Sequence, residues 1–123
     1  MIRTLFIVSE CAPLVKTGGL ADVAGALPGA LAAHGVDVRV LLPGYRTVMS
    51  QIDHPEVLAK YDDLFGGPAK LLSCRVAGLD LLIVEAPHLY ERDGAIYGDE
   101  TGKDWPDNPE RFAALCKVGA MVA

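Results

Sequence analysis

The chain has 123 residues, 51% of them hydrophobic, which is enough to close one core and sets the expectation of a single domain. Sixteen acidic against eleven basic residues leave a net charge of −5 with no clustered basic run, so the long-range field repels a nucleic-acid backbone and no nucleic-acid partner is expected. No apolar run approaches the roughly 18 residues of a membrane span, and the N-terminus lacks the charged, apolar and cleavage-site succession of a signal peptide, so no membrane partner is expected and the compartment is read as cytoplasmic.

The chain opens with an apolar run from about Thr4 to Val8, the pattern of a strand buried on both faces of a parallel sheet. A loop over 9–19 follows. A helix is expected from Leu20 to His34, because Leu20, Val23, Ala24, Leu27 and Leu31 form one apolar stripe and Gly35 supplies the stop. Pro28 inside it deletes one backbone hydrogen bond and should bend it. A second strand, Asp37 to Leu42, ends at Pro43-Gly44 and completes a βαβ unit whose crossover is expected to be right-handed.

From Met49 to Asp63 the pattern is irregular and reads either as a helix broken near His54-Pro55 or as mostly loop. Leu71 to Val76 and Leu79 to Val84 flank Ala77-Gly78 and read as a hairpin or closely paired strands. Turn formers crowd the stretch from Ala86 to Pro109, which reads as a long functional loop bearing Tyr90, Tyr97 and Trp105. Asn108 is placed to cap a last helix, with Pro109 at its first position and Glu110 in its first turn. That helix stays apolar through Phe112, Leu115, Val118 and Val122 with no C-cap after it, so the chain reads as the first part of a longer protein. The sheet edge left open by such a piece makes self-association an expectation.

Cys11, Cys74 and Cys116 are odd in number and far apart, giving neither a disulfide framework nor a zinc knuckle, and His34, His54 and His88 show no metal-ligand spacing. No metal or cofactor is expected. Each cysteine reads as a small buried hydrophobe; Cys11 also admits a reading as a reactive thiol, since a helix terminus and a lysine nearby would lower its pKa.

The segment that carries most information is Lys16-Thr17-Gly18-Gly19-Leu20-Ala21-Asp22-Val23, which follows the first strand and runs into the first helix. Glycines that expose backbone N–H groups ahead of the positive end of a helix dipole form an anion site, and Lys16 adds a mobile charge. The glycines at 18, 19, 25 and 29 do not fit G-x-G-x-x-G, and Lys-Thr-Gly-Gly is not a Walker loop. The bland reading stands beside this one: Gly18 and Gly19 allow positive φ in a tight turn, and Lys16 is a solvated surface charge.

The stretch from Ser9-Glu10-Cys11-Ala12-Pro13 through Lys16-Thr17-Gly18-Gly19-Leu20-Ala21-Asp22-Val23 to Leu27-Pro28 resembles the N-terminal signature of bacterial glycogen synthases and plant starch synthases, the ADP-glucose-using glycosyltransferase family 5. The resemblance continues through Gly35-Val36-Asp37-Val38-Arg39-Val40-Leu41-Leu42-Pro43, then Glu85-Ala86-Pro87-His88-Leu89-Tyr90-Glu91-Arg92, then Asp107-Asn108 with Arg111-Phe112. Residues 46–75 are its least distinctive part.

What the resemblance implies is a GT-B fold, of which this chain would be an incomplete, Rossmann-like, parallel-sheet portion of the N-terminal domain, with the donor-binding C-terminal domain absent. The implied partners are ADP-glucose and an α-1,4-glucan acceptor, glucose passing to the non-reducing 4-hydroxyl with retention. Lys16, Thr17, Gly18 and Gly19 would meet the donor phosphates, and Asp22 would point toward the sugar and acceptor. Tyr97 is read as a structural wedge first and a ligand contact second, with Ile96 standing where the family often has proline. His88 and Tyr90 would hold the long loop, and Asp107, Asn108 and Arg111 would cap and anchor the last helix. No general base is identified, and because half of the implied cleft is missing the chain alone is expected to be inactive. Two other classes stand beside this one: a free-standing nucleotide-binding regulatory module, and a noncatalytic glucan-binding module using the aromatic loop over 86–109.

Overall fold

The first apolar run forms β1 (Ile2–Ile7), and a computed structural model describes all of residues 1–123. After the loop come α1 (Gly19–Ala32) and β2 (Val36–Pro43), which pairs in parallel with β1 from Ile2 opposite Val36 to Ile7 opposite Leu41. Gly35 turns the chain between them at φ +76°, a conformation that costs a residue with a Cβ roughly 1–2 kcal/mol. The expected βαβ unit is therefore present.

Beyond β2 a single short helical turn, α2 (Arg46–Met49), leads into a strand that the irregular pattern had hidden, β3 (Glu56–Tyr61). No broken helix forms; residues 50–55 are turn and loop, and the strand after them is what neither reading contained. The alternation is lost because the pairing with β4 (Ala69–Val76) shifts between Val57 and Ala59, leaving Val57 and Leu58 both exposed. β4 and β5 (Leu79–Glu85) form the expected antiparallel hairpin, closed by Ala77 and Gly78 at φ +52° and +79°, the left-handed pair that matches strand twist. β5 then pairs in parallel with β2, giving one five-stranded sheet in the order β1-β2-β5-β4-β3. The sheet is mixed: its parallel part is β1, β2 and β5.

Core residues concentrate on β2 and β5. Val40 to Leu42 and Leu81 to Val84 are buried at consecutive positions, so both faces of β2 and β5 are covered. Full burial of each such side chain contributes about 1.5–3 kcal/mol. α1 packs on β2 and β5, and α4 (Asn108–Val122) packs on β1 and β2. No helix is long and apolar enough to cross a membrane.

Two helices depart from expectation in how they sit. α1 turns Ala21 and Ala24 inward and leaves Leu20 and Val23 about half exposed, so the expected stripe is rotated. The reason is a close approach to the helix's own preceding loop: a Cβ on Gly25 would lie 2.3 Å from the Ala12 carbonyl oxygen, and the Ala12 amide donates to Ala21 at 2.9 Å. Bulky residues cannot occupy that contact. At α4, Asn108 is the first helical residue and not the cap; its side-chain amide donates to the Tyr97 carbonyl at 2.8 Å and its oxygen accepts from Arg111 at 2.8 Å. The demand of buried Arg111 for acceptors redirects it. Of the cysteines only Cys11 is fully buried; Cys74 is half-buried and Cys116 exposed.

Candidate functional site

The parallel strands β1, β2 and β5 send three loops from their carboxyl ends, the position where open α/β sheets bind ligands. The loops meet through side chains. After β2, Tyr45 is buried and donates its hydroxyl to the Ser9 carbonyl at 2.6 Å. After β5 comes α3 (Pro87–Tyr90) and then an irregular segment that delivers Tyr97, whose hydroxyl lies 2.6 Å from the Ser9 hydroxyl and donates to Glu10 at 2.7 Å. The Tyr97 ring packs on Phe112 of α4. Tyr97 is thus fixed between the last helix and the loop after β1.

Glu10 is the residue that sequence reasoning missed. Its side chain is 2% exposed and takes the amides of Thr17 at 3.2 Å and Gly18 at 3.0 Å, together with the hydroxyls of Thr17 and Tyr97. Burial alone would raise its pKa, but these four donors outweigh that and hold it down at about 2. An acid within an otherwise apolar stretch, ahead of a glycine loop that must place its amides somewhere, was the available signal.

The loop itself then presents a short list of free groups. Gly18 is extended at φ −163° and Gly19 has no positive φ, so the turn does not need glycine for its backbone. A Cβ at either would meet nothing within 4 Å. The Gly19 and Leu20 amides open α1 and donate to no group of the chain, leaving unsatisfied N–H groups at the positive end of the helix. Lys16 places its ammonium 2.8 and 2.9 Å from the two Asp22 oxygens, a bidentate pair with both side chains more than half exposed. Such a pair contributes about 0–1 kcal/mol, so it opens readily to a competing anion.

His88 lies elsewhere. Its Nε2 is 2.7 Å from the Leu64 carbonyl, and its ring fills the space a Cβ on Gly67 would need, so it ties the turn before β4 to α3. Cys11 is fully buried with its thiol pushed up to about 11 by burial, which removes the reactive reading. Behind Tyr97, Arg111 is 1% exposed and donates to the carbonyls of Leu89 and Ile96, while Tyr90 donates to its carbonyl. Desolvation lowers the Arg111 pKa, and its anchoring role matches expectation. Arg92 and Asp107 close the segment with a bidentate pair at 2.6 and 2.5 Å, and Arg92 stacks on Trp105. No group of three or more His, Cys, Asp or Glu side chains is arranged to hold a metal ion.

The sequence profile of the starch synthase catalytic domain matches residues 3–123. The chain belongs to that family. It is 57% identical over 123 residues to the glycogen synthase of Paracoccus denitrificans (strain Pd 1222) and 58% identical over 123 residues to that of Jannaschia sp. (strain CCS1), covering 100% of this chain and 26% of each relative. The chain thus spans about a quarter of the length of these relatives, their N-terminal quarter. Among solved structures, the catalytic domain of starch synthase IV from Arabidopsis thaliana bound to ADP and acarbose superposes with a TM-score of 0.75 at 26% identity, over 96% of this chain and 24% of that one. The α/β sheet with its loop after β1 is accordingly the N-terminal GT-B portion shared by these starch and glycogen synthases.

Proposed function

We propose that the protein carrying this chain is a cytoplasmic, retaining glucosyltransferase that moves glucose from ADP-glucose to the non-reducing 4-hydroxyl of an α-1,4-glucan, as in glycogen synthesis. Within it, this chain is the first part of the N-terminal domain, and its loop over Lys16, Thr17, Gly18 and Gly19 meets the donor's diphosphate. The observation that carries the reading is the set of outward groups on that loop: the Gly19 and Leu20 amides, the exposed Lys16 ammonium and the open space over both glycines. The relatives named glycogen synthase and the neighbour solved with ADP and acarbose support the substrate class.

The chemistry follows from charge. As the glycosidic bond to the departing ADP breaks, negative charge builds on the diphosphate, and fixed N–H groups with an ammonium stabilise it most in the transition state. A diphosphate outcompetes one carboxylate for Lys16, and the freed Asp22 then turns to the sugar hydroxyls or the acceptor. Tyr97 shapes the site through Glu10, and His88 supports the segment that delivers it. The catalytic remainder lies outside these residues, so the 123-residue chain alone transfers no glucose.

The test is transfer of labelled glucose from ADP-glucose into glycogen by the full-length protein and its Lys16→Ala variant. We expect active wild type and a loss of about 10-fold or more in the variant, equal to about 1.4 kcal/mol of transition-state stabilisation. An inactive wild type overturns the substrate reading. Equal activities overturn the assignment of the loop.

A further inference from the structure

A buried carboxylate directly beneath a loop that receives an anion looks counterproductive. Glu10 repels a phosphate, and burying it costs several kcal/mol unless each of its lone pairs is used. Here they are used: Oε1 accepts the Thr17 and Gly18 amides, and Oε2 accepts the Thr17 and Tyr97 hydroxyls. Two of the four donors are the backbone groups that a glycine-rich loop would otherwise aim at its ligand.

We propose that Glu10 is a positioning residue for the donor diphosphate: by holding the Thr17 and Gly18 amides and the Tyr97 hydroxyl inward, it leaves the Gly19 and Leu20 amides with the Lys16 ammonium as the loop's outward donors. Three structural features converge on this. Gly18 is extended and its amide is committed to Glu10, so the first amides left without a partner are those of Gly19 and Leu20, where the helix begins. Tyr97 comes from 87 residues away and bonds the same carboxylate oxygen as Thr17, which fixes the loop to the segment after β5 and, through Phe112, to α4. Tyr45 secures the adjacent Ser9 carbonyl from the loop after β2. Every loop at the carboxyl ends of the parallel strands is therefore tied to residues 9 and 10, and the diphosphate meets a rigid edge instead of a mobile one. Preformed donors need no reorganisation as charge develops, which is where such a scaffold acts on rate.

This inference rests on the phosphate-loop reading above, and the experiment separates the two. In the full-length protein, glucosyl transfer is measured at varied ADP-glucose and at varied glycogen for Glu10→Gln, Lys16→Ala and the double variant. Glutamine keeps the volume and one acceptor oxygen, so the fold is retained, which far-UV circular dichroism verifies; its NH2 group, standing in for Oε2, cannot accept the two hydroxyls. Expected is a fall of about 10-fold in kcat/KM for the donor with the glycogen KM unchanged. The double variant should be no worse than about twofold below Lys16→Ala alone, because the two residues act as one unit. Losses that multiply, a donor kcat/KM within about twofold of wild type for Glu10→Gln, or an equal shift in the glycogen KM each overturn the positioning role while leaving Lys16 in place. A neutral Lys16→Ala instead removes the underlying reading. Glu10→Asp serves as the rescue control: a carboxylate restores acceptors for both hydroxyls, and partial recovery over Glu10→Gln is expected, its absence counting against the proposal.

Discussion

Glu10 gives the chain a pH-dependent component of stability that can be worked out from its surroundings. Its carboxyl falls from an ordinary 4.5 to about 2 on folding. A depressed pKa means that the folded state holds the proton less tightly than the unfolded one, so the stabilisation is complete above the unfolded pKa and disappears as pH falls through the folded one. The magnitude is about 3 kcal/mol at pH 7, about 1 kcal/mol at pH 3 and smaller still at pH 2. Other carboxylates titrate in the same window, so the informative quantity is the difference between wild type and Glu10→Gln. Urea unfolding of the 123-residue chain, followed by the fluorescence of its single tryptophan, Trp105, reports it at each pH. The gap between the two proteins should shrink by about 2 kcal/mol from pH 7 to pH 3. A gap that stays constant within about 0.5 kcal/mol would show that Glu10 is not held ionised by these donors, and the reasoning fails.

Other substitutions probe other contacts. Gly25→Ala should destabilise the chain by about 1–3 kcal/mol in urea unfolding, because its Cβ would meet the Ala12 carbonyl oxygen, a backbone atom, at 2.3 Å. Gly18→Ala and Gly19→Ala should leave stability within about 0.5 kcal/mol, since the backbone there is ordinary and the space open, yet raise the donor KM of the full-length protein; unchanged donor kinetics would show that no ligand uses the space. Arg111→Met should cost about 2–4 kcal/mol in thermal unfolding, since the Leu89 and Ile96 carbonyls and the Asn108 side chain lose their partner at once. Ala77→Gly should be neutral or stabilising by up to about 1 kcal/mol, the left-handed backbone at φ +52° being strained for alanine, and a measured loss would contradict the turn.

The parts legible in the sequence were those set by local chemistry. Continuous apolar runs marked β1, β2 and β5, and Ala77-Gly78 marked the hairpin, because each signal lies within a few residues of the feature it produces. β3 was hidden because its bulge breaks the two-residue period on which strand recognition depends. The face of α1 was misjudged for a related reason: hydrophobicity alone favours Leu20 and Val23, whereas close approach to the Ala12 carbonyl selects Ala21, Ala24 and Gly25. Of the candidate site, Lys16 and the two glycines are singled out by type and spacing, and Tyr97 by resemblance. Glu10 did not, since its meaning depends on where Tyr97 lands, and no local pattern encodes a contact of that span.

That span also has a consequence in time. Thr17 and Gly18 lie seven and eight residues from Glu10 and can reach it as soon as the first loop is made, whereas Tyr97 is 87 residues away. At about 5–20 residues per second, a ribosome takes roughly 4–17 s to make the intervening chain. Contacts local in sequence close before distant ones because their loop entropy is smaller. The set of donors around Glu10 is therefore complete only once the segment after β5 has been made.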